Sequence, residues 1–308
     1  MSIHFVKPGL QTSLQDLGRI GQMHKGISRS GAMDTVAMQM ANWLVSKPLD
    51  SAVLEITLVG PTLAFEKAMT LGVCGAEFEL FLNGNQVFNN ESFNVKPGDK
   101  LQFDKLKTGA RAYLAFSGEL KLAKVLASYS THITAGFGGY QGRQFKLNDS
   151  LELHQTQIKD ARKLPKECEM FYSGNYLLRC VSSVESSLFK QQNKNQFYAS
   201  SYKVSTDSNR MGIRLSDNPI QLDNKLEILS SGLTQGSIQI PPSGEPIISS
   251  VDGQTIGGYP RIANVITADL SLLGQLKAND KVNFVFTTNK QANIILTNKQ
   301  KIMNKLLR

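Results

Sequence analysis

Cysteine is scarce in this chain. Cys74, Cys168 and Cys180 are an odd, widely spaced set that fits neither a disulfide framework nor a paired-cysteine zinc site, and they read as buried free thiols. Histidine is nearly as sparse: His4, His24, His132 and His154 include no pair at helical ligand spacing and no cluster with cysteine, so no metal ligand set is expected within this chain. No apolar run reaches the roughly 20 residues that cross a bilayer, and the opening MSIHFVKPG lacks a basic region followed by an apolar signal core. The expectation is a cytoplasmic protein without a membrane partner.

Nucleotide motifs are missing as well. GFGGYQGR at 136–143 has the glycines of a phosphate cradle but neither the Lys-Ser/Thr of a P-loop nor the spacing of a dinucleotide fingerprint; Gly138, Gly139 and Arg143 read instead as a tight turn with a nearby ion pair. AMQMA at 37–41 resembles the Met-Lys-Met segment that carries biotin, yet Gln39 stands where the lysine must be, so no covalent biotin is expected on this chain. The formal charge of +9 suggests nucleic acid until its position is considered: five basic and no acidic residues fall in KQANIILTNKQKIMNKLLR, 290–308. Without interleaved aromatic residues that tail reads as a solvated helix face, and no nucleic-acid partner is expected.

What the chain does have is strand. At 308 residues, 41% hydrophobic and 19% charged, it is long enough for two globular lobes. SIHFVK, VLEITLVG, TLAF, MTLGVCGA, EFELFLNG, SFNV, KLQF, RAYLAFSG and SLELH are short β-branched and aromatic runs separated by turn residues, a spacing that favours a barrel or sandwich. One clear helix, DTVAMQMANWLVS, starts at the N-cap Asp34 and stops before Pro48. The segment QTQIKDARKLPKE (155–167) reads as a linker, which puts an N-terminal β lobe at 1–160, with a loop and helix around 11–46, and a C-terminal β lobe with its basic tail at 161–308. The second lobe repeats the pattern in YLLRCVSS, FYASSYKVS, LEILS, SIQIPP, PIISSVDG, ANVITADL and KVNFVFTT. A faint repeat pairs LGRIG, LEI and PGDKLQF with SNRMG, LEI and ANDKVNF in the same order.

Candidate site residues lie in three stretches. In the long polar loop before Asp34, Arg19 and Ser30 can hold a carboxylate or phosphate, while Asp34 is a helix cap before it is a catalytic acid. In TDSNRMGIRL, Arg210 and Arg214 would point the same way in an extended segment and clamp an anion, with ion pairs across the sheet as the plain alternative. In VDGQTIGGYPRIA (251–263), Gln254, Thr255 and Tyr259 offer an amide, a hydroxyl and a phenol, and Gly257 and Gly258 let the backbone approach a ligand. Alternation in SIQIP puts Gln239 on the opposite face from Ile238 and Ile240, so Gln239, Ser231 and the Gln254-Thr255 pair can meet at one barrel mouth. The composite is a polar pocket for a small amide; no catalytic nucleophile or base is identifiable.

PGLQTSLQDLGRIG, SGAMD, LEITLVGPTLAF, SNRMGIRL, GSIQIPPSGEPI and DGQTIGGYP together resemble the signature blocks of the family of 5-oxoprolinase C components, also called allophanate hydrolase subunit 2 or the biotin-dependent carboxyltransferase family, which is similar to part of the urea carboxylase carboxyltransferase domain. The likeness runs from about residue 8 to about 286 and departs from the pattern at Asn148, where a glycine is expected. It implies a mainly β protein of two β-barrel-like lobes of cyclophilin-like type with a few short helices. It also implies a sister B component of related fold, an A component, and ATP used through the complex to cleave the lactam of 5-oxo-L-proline to L-glutamate. The alternatives it leaves open are a biotin-dependent carboxyltransferase acting on urea- or allophanate-type amides, and a regulatory binding module that antagonises a kinase-inhibitor-type sister protein.

Overall fold

The β-branched and aromatic runs become strands throughout the residues that the computed structural model describes, 2–222 and 228–307. Chain contacts separate two units, one built mainly from the residues up to Ile20 and Ser30–Tyr172, the other from Gly21–Arg29 and Ser173–Leu306. The protein is mainly β with few helices.

The first unit contains β1 (Ser2–Lys7), β2 (Gln11–Gln15), α1 (Thr35–Leu44), β3 (Val53–Thr57), β4 (Thr62–Phe65), β5 (Met69–Leu82), β6 (Asn85–Val87), β7 (Ser92–Val95), β8 (Lys100–Phe116), β9 (Glu119–Leu120) and β10 (Ser150–His154). All ten strands join one sheet in the order β2-β3-β8-β4-β1-β10-β9, with β5 on β8 and β6 and β7 on β5. MTLGVCGA and EFELFLNG, two runs in the sequence, form the single strand β5, because Gly75 at φ +95° lets it bulge without ending. A Cβ at Gly75 would sit 2.6 Å from the Arg111 carbonyl. KLQF and RAYLAFSG likewise merge into β8, whose last seven residues are buried on both faces because α1 packs on β5 and β8. Asp34 caps α1, its carboxylate accepting from the N–H groups of Val36 and Ala37.

The second unit contains β11 (Asn175–Ser182), α2 (Gln191–Ala199), β12 (Ser201–Val204), β13 (Gly212–Ser216), β14 (Ser231–Gly232), β15 (Ser237–Gln239), β16 (Ile247–Ser249), β17 (Ile256–Gly257), β18 (Arg261–Val265), β19 (Lys281–Phe286) and α3 (Asn289–Leu306). Seven of these strands close a barrel in the order β11-β18-β15-β16-β13-β12-β19, sealed by the parallel pair β11 and β19. Leu178, Ile213, Leu215, Ile238, Ile248, Ala263 and Val282 are all buried. Phe197 of α2 stacks on Phe284 of β19 with ring centroids 4.5 Å apart. All three cysteines are free and buried. No helix among the described residues is long and apolar enough to cross a membrane.

Three expectations change. FYASSYKVS begins in α2, because burying Phe197 against Phe284 outweighs the β propensity of the run, and its strand starts only at Ser201. ANVITADL gives up its last residues to a 3₁₀ stretch, Thr267–Gln275, whose Asp269 carboxylate receives the Arg179 guanidinium. The segment 155–167 is not a loose connection. Lys159 N–H donates to Thr70 Oγ1, Leu164 N–H donates to the Asn90 carbonyl, and the Arg162 guanidinium lies 4.7 Å over the Trp43 ring, all within the first unit. The strand expected at LEILS, and the second LEI of the faint repeat, begin at residues outside the described ones.

One element of that repeat is a real structural repeat. At Lys96-Pro97-Gly98-Asp99 and at Lys277-Ala278-Asn279-Asp280 the aspartate carboxylate accepts from the lysine N–H while its own N–H donates to the lysine carbonyl. The third residue is left-handed in both, φ +90° at Gly98 and +73° at Asn279. Lys146-Leu147-Asn148-Asp149 makes the same turn a third time, with Asn148 at φ +66°. Asparagine tolerates that conformation better than other non-glycine residues, which explains how Asn148 replaces the expected glycine. Each turn delivers the chain into a strand: β8, β10 and β19.

At the third turn Arg143 adds a two-pronged bond to Asp149, at 2.5 and 2.9 Å. That fork, and then the Lys146 N–H, hold the Asp149 carboxyl below its ordinary 3.8 despite partial burial. A depressed carboxyl contributes stability that is present above its unfolded pKa and lost as pH falls through its folded pKa. Arg143→Met should therefore lower urea-unfolding stability by about 1 kcal/mol at pH 7. The difference from wild type should shrink once the pH falls well below 3.8.

Candidate functional site

The site is set by strand alternation in the barrel wall. In the β13–β16 register Arg214 faces Ile247 and Gly212 faces Ser249, and in β15–β16 Gln239 faces Ile247. Ile213, Ile248 and Ile238 between them are fully buried, so they fill the barrel while Gly212, Arg214, Ile247, Ser249 and Gln239 present the wall's outer side. The chain at 250–260 brings Gln254 and Tyr259 to that side, and its β17 pairs with β14. A cavity of about 200 Å³ results, walled by Arg214, Gln239, Ser249, Gln254 and Tyr259 with Asn209, Met211, Leu233 and Ile247. It lies against the outside of the barrel wall, a correction to the expected barrel mouth that follows from which side of each strand the isoleucines occupy.

Four of the six residues expected to bind substrate thus share one cavity: Arg214, Gln239, Gln254 and Tyr259. The side chains of Arg214, Gln254 and Tyr259 make no hydrogen bond or ion pair with any described residue and are exposed toward it. Gln239 is buried and spends one N–H on the Tyr259 carbonyl at 3.3 Å, which fixes its amide at the cavity edge. The lining therefore offers a guanidinium fork, three amides, a phenol and the Ser249 hydroxyl, with Leu233 and Ile247 as apolar walls.

Arg210 and Thr255 stand apart from this lining. Arg210 precedes β13 in a turn, so the expectation that it and Arg214 point the same way from one extended segment does not hold. Its guanidinium is buried and bonds both oxygens of Asp252, at 2.8 and 3.2 Å. Around that pair the Asp252 N–H donates to the Arg210 carbonyl and the Ser250 N–H to the Met211 carbonyl, which ties 208–211 to 250–253. Thr255 is buried and its carbonyl accepts from Leu233 N–H. Gly257 serves the site indirectly: a Cβ there would lie 2.7 Å from Gln239 Nε2 and displace the amide. Gly258 has looser surroundings, its nearest neighbour being Ser230 Oγ at 3.3 Å.

Arg19, Ser30 and Asp34 belong to the first unit. Arg19 is buried, donates to the Ser130 carbonyl at 2.5 Å and lies 4.6 Å over the Phe137 ring, and the glycine-rich run matters because a side chain at Gly138 would collide with this fork. Ser30 is buried at φ +56°. Asp34 acts as the α1 cap, and Tyr172 OH also reaches its second oxygen at 3.4 Å. Beside it lies a cluster that sequence reading missed: Tyr113 OH accepts from Asp34 N–H at 2.7 Å and donates to Glu55 Oε2 at 2.9 Å, and Glu55 also takes the Met33 N–H. Burial, then Glu55 and Asp34, push the Tyr113 phenol well above its usual range, so it stays a neutral donor. The available signal was an acid between Leu54 and Ile56 in a strand that is otherwise apolar or uncharged.

Residues 25–286 match the family model described as carboxyltransferase domain, subdomain A and B. The chain is 34% identical to the C component of the 5-oxoprolinase of Escherichia coli over 92% of its own length and 90% of the relative's. It is also 34% identical to the C component of the Haemophilus influenzae 5-oxoprolinase, over 89% and 87%. Among solved structures, K. lactis urea amidolyase superposes with a TM-score of 0.94 at 30% identity, over 99% of this chain, which spans only 20% of that protein.

Removing one partner of a buried pair strands the other charge, at a cost of about 3–5 kcal/mol. Arg210→Met should lower unfolding free energy by that order in urea titration, whereas Arg214→Met, at an exposed side chain, should change it by less than about 0.5 kcal/mol.

Proposed function

This chain belongs to the carboxyltransferase domain family, subdomains A and B, and on that premise we propose that it is the C component of an ATP-dependent 5-oxoprolinase that opens the lactam of 5-oxo-L-proline to L-glutamate together with partner subunits. The observation that carries the reading is the cavity outside the β13–β16–β15 wall, where the Arg214 guanidinium, the Gln254 amide and the Tyr259 phenol have no partner among the described residues. A lactam acid has three recognisable parts: a carboxylate, an N–H and a carbonyl. The Arg214 fork matches the carboxylate, the Gln254 amide supplies one acceptor and one donor for the ring amide, and Tyr259 OH adapts to either. Leu233 and Ile247 suit the ring methylenes.

Size supports the same assignment. About 200 Å³ is below the roughly 300–1,000 Å³ of pockets for drug-sized ligands, so the cavity suits the lactam and not a nucleotide. ATP is then bound through the complex. Its role is to convert the amide oxygen into a phosphate leaving group, which an unstrained lactam requires, and the chain's residues serve to hold and orient the acid and its amide. The two relatives named as C components support a shared enzyme rather than an independent one.

A second reading is favoured by one observation, the superposition on urea amidolyase: a half-site that moves a carboxyl group onto an amide nitrogen. Assaying the assembled complex with 5-oxo-L-proline and with urea in parallel separates the two. The proposed function predicts ATP hydrolysis coupled to 5-oxo-L-proline and none by the isolated chain; carboxyl transfer to urea with no lactam cleavage would overturn it. In the active complex Gln254→Ala should lower kcat/KM by about a hundredfold. Arg214→Met should raise KM for the lactam by about tenfold or more.

A further inference from the structure

A second cavity, of about 340 Å³, lies on the other arc of the barrel and shares no lining residue with the first. It opens where the parallel strands β11 and β19 end, at Ser182 and Phe286, and one face of α2 closes its side. Lys194 and Tyr198 stand one turn apart on that face, with Gln191 and Asn195 completing it at helical spacing. Ser186 and Ile262 supply the rest of the wall. We propose that this cavity is a binding site for a small organic carboxylate that carries an apolar body and no amino group.

The chemistry of the lining selects that class. Among the described residues the one cation of the lining is Lys194, whose ammonium makes no hydrogen bond or ion pair with a described residue. The hydroxyls of Ser182 and Ser186 and the phenol of Tyr198 have no hydrogen-bond partner among the described residues either. Burial pushes the Tyr198 phenol up to about 12, so near neutrality it presents a proton to an anion. No side chain caps α2, whose first N–H groups add positive potential on the same side.

Acidic groups do not cancel this. The cavity lining contains no carboxylate. Glu185, next to Ser186 in sequence, has both oxygens taken by the Arg261 fork, with Arg261 Nε donating to Oε2 at 2.6 Å. An ammonium on the ligand would therefore find no counter-charge, which disfavours amino acids. One lysine and neutral donors match a single negative charge better than the double charge of phosphate. Ile262, fully buried, and the Phe286 ring, set edge to face with Tyr198 at 6.2 Å, offer an apolar surface for the ligand's body.

Benzoate and its neutral isostere benzamide, titrated into the full chain and followed by ligand-observed NMR, test the site. The proposal predicts saturable benzoate binding with a Kd of about 1–10 mM and at least tenfold weaker binding of benzamide. Measured on the Arg214→Met background, so that the first cavity's guanidinium does not contribute, Lys194→Met should weaken benzoate about tenfold and Tyr198→Phe about threefold. The melting temperatures of both cavity variants serve as the folding control. Equal binding of benzamide, benzoate binding indifferent to Lys194→Met, complete loss with Arg214→Met alone, or displacement of benzoate by equimolar inorganic phosphate would each overturn the proposal.

Discussion

The buried pair of Arg210 and Asp252 is the constraint on which the proposed substrate cavity depends. Two charges removed from water are costly unless each finds a partner of matching geometry, and here a guanidinium fork meets a carboxylate on two bonds with almost no solvent access. Flanking main-chain bonds from Asp252 and Ser250 make the two segments they join, 208–211 and 250–253, behave as one rim. That rim carries Asn209 and Met211 on one side and leads directly to Gln254 on the other. Arg210, held within the fold, thus sets where Arg214, which bonds no described residue through its side chain, can act.

This division recurs across the second unit. Arg179 and Arg261 are also taken up by carboxylates, Asp269 and Glu185; Arg179 borders a cavity too, but Arg214 and Lys194 border theirs without a partner among the described residues. Closure of the barrel by parallel β11 and β19 leaves its strands with one side filled by isoleucine, leucine and valine and the other available for polar residues. The likeness of the chain to K. lactis urea amidolyase takes in this barrel together with the first unit. Under the proposed function, the few side chains facing outward from the barrel decide which amide is accepted.

Strand identity was legible in the sequence because β-branched alternation is local, and so were the α1 cap at Asp34 and the meeting of Gln239 with Gln254, whereas Arg214 was expected beside Arg210. The side of the wall on which the cavity residues cluster was not, since it depends on the register between β13, β16 and β15, which the folded sheet alone fixes. Arg210 misled for the same reason: its partner Asp252 lies 42 residues away. Tyr113 and Glu55 were invisible because their role comes from meeting the start of α1. The Lys-x-Gly/Asn-Asp turn was present three times in plain view, and its meaning emerged only once the left-handed φ at Gly98, Asn148 and Asn279 was known.

The central claim is that the amide substrate sits outside the barrel wall between Arg214 and Gln254. A crystal structure of the assembled enzyme soaked with 5-oxo-L-proline measures this directly. The account predicts electron density for the ring in that cavity, its carboxylate on the Arg214 guanidinium and its amide within hydrogen-bond reach of Gln254 or Tyr259. Ordered lactam bound elsewhere, with this cavity holding only solvent, would contradict it.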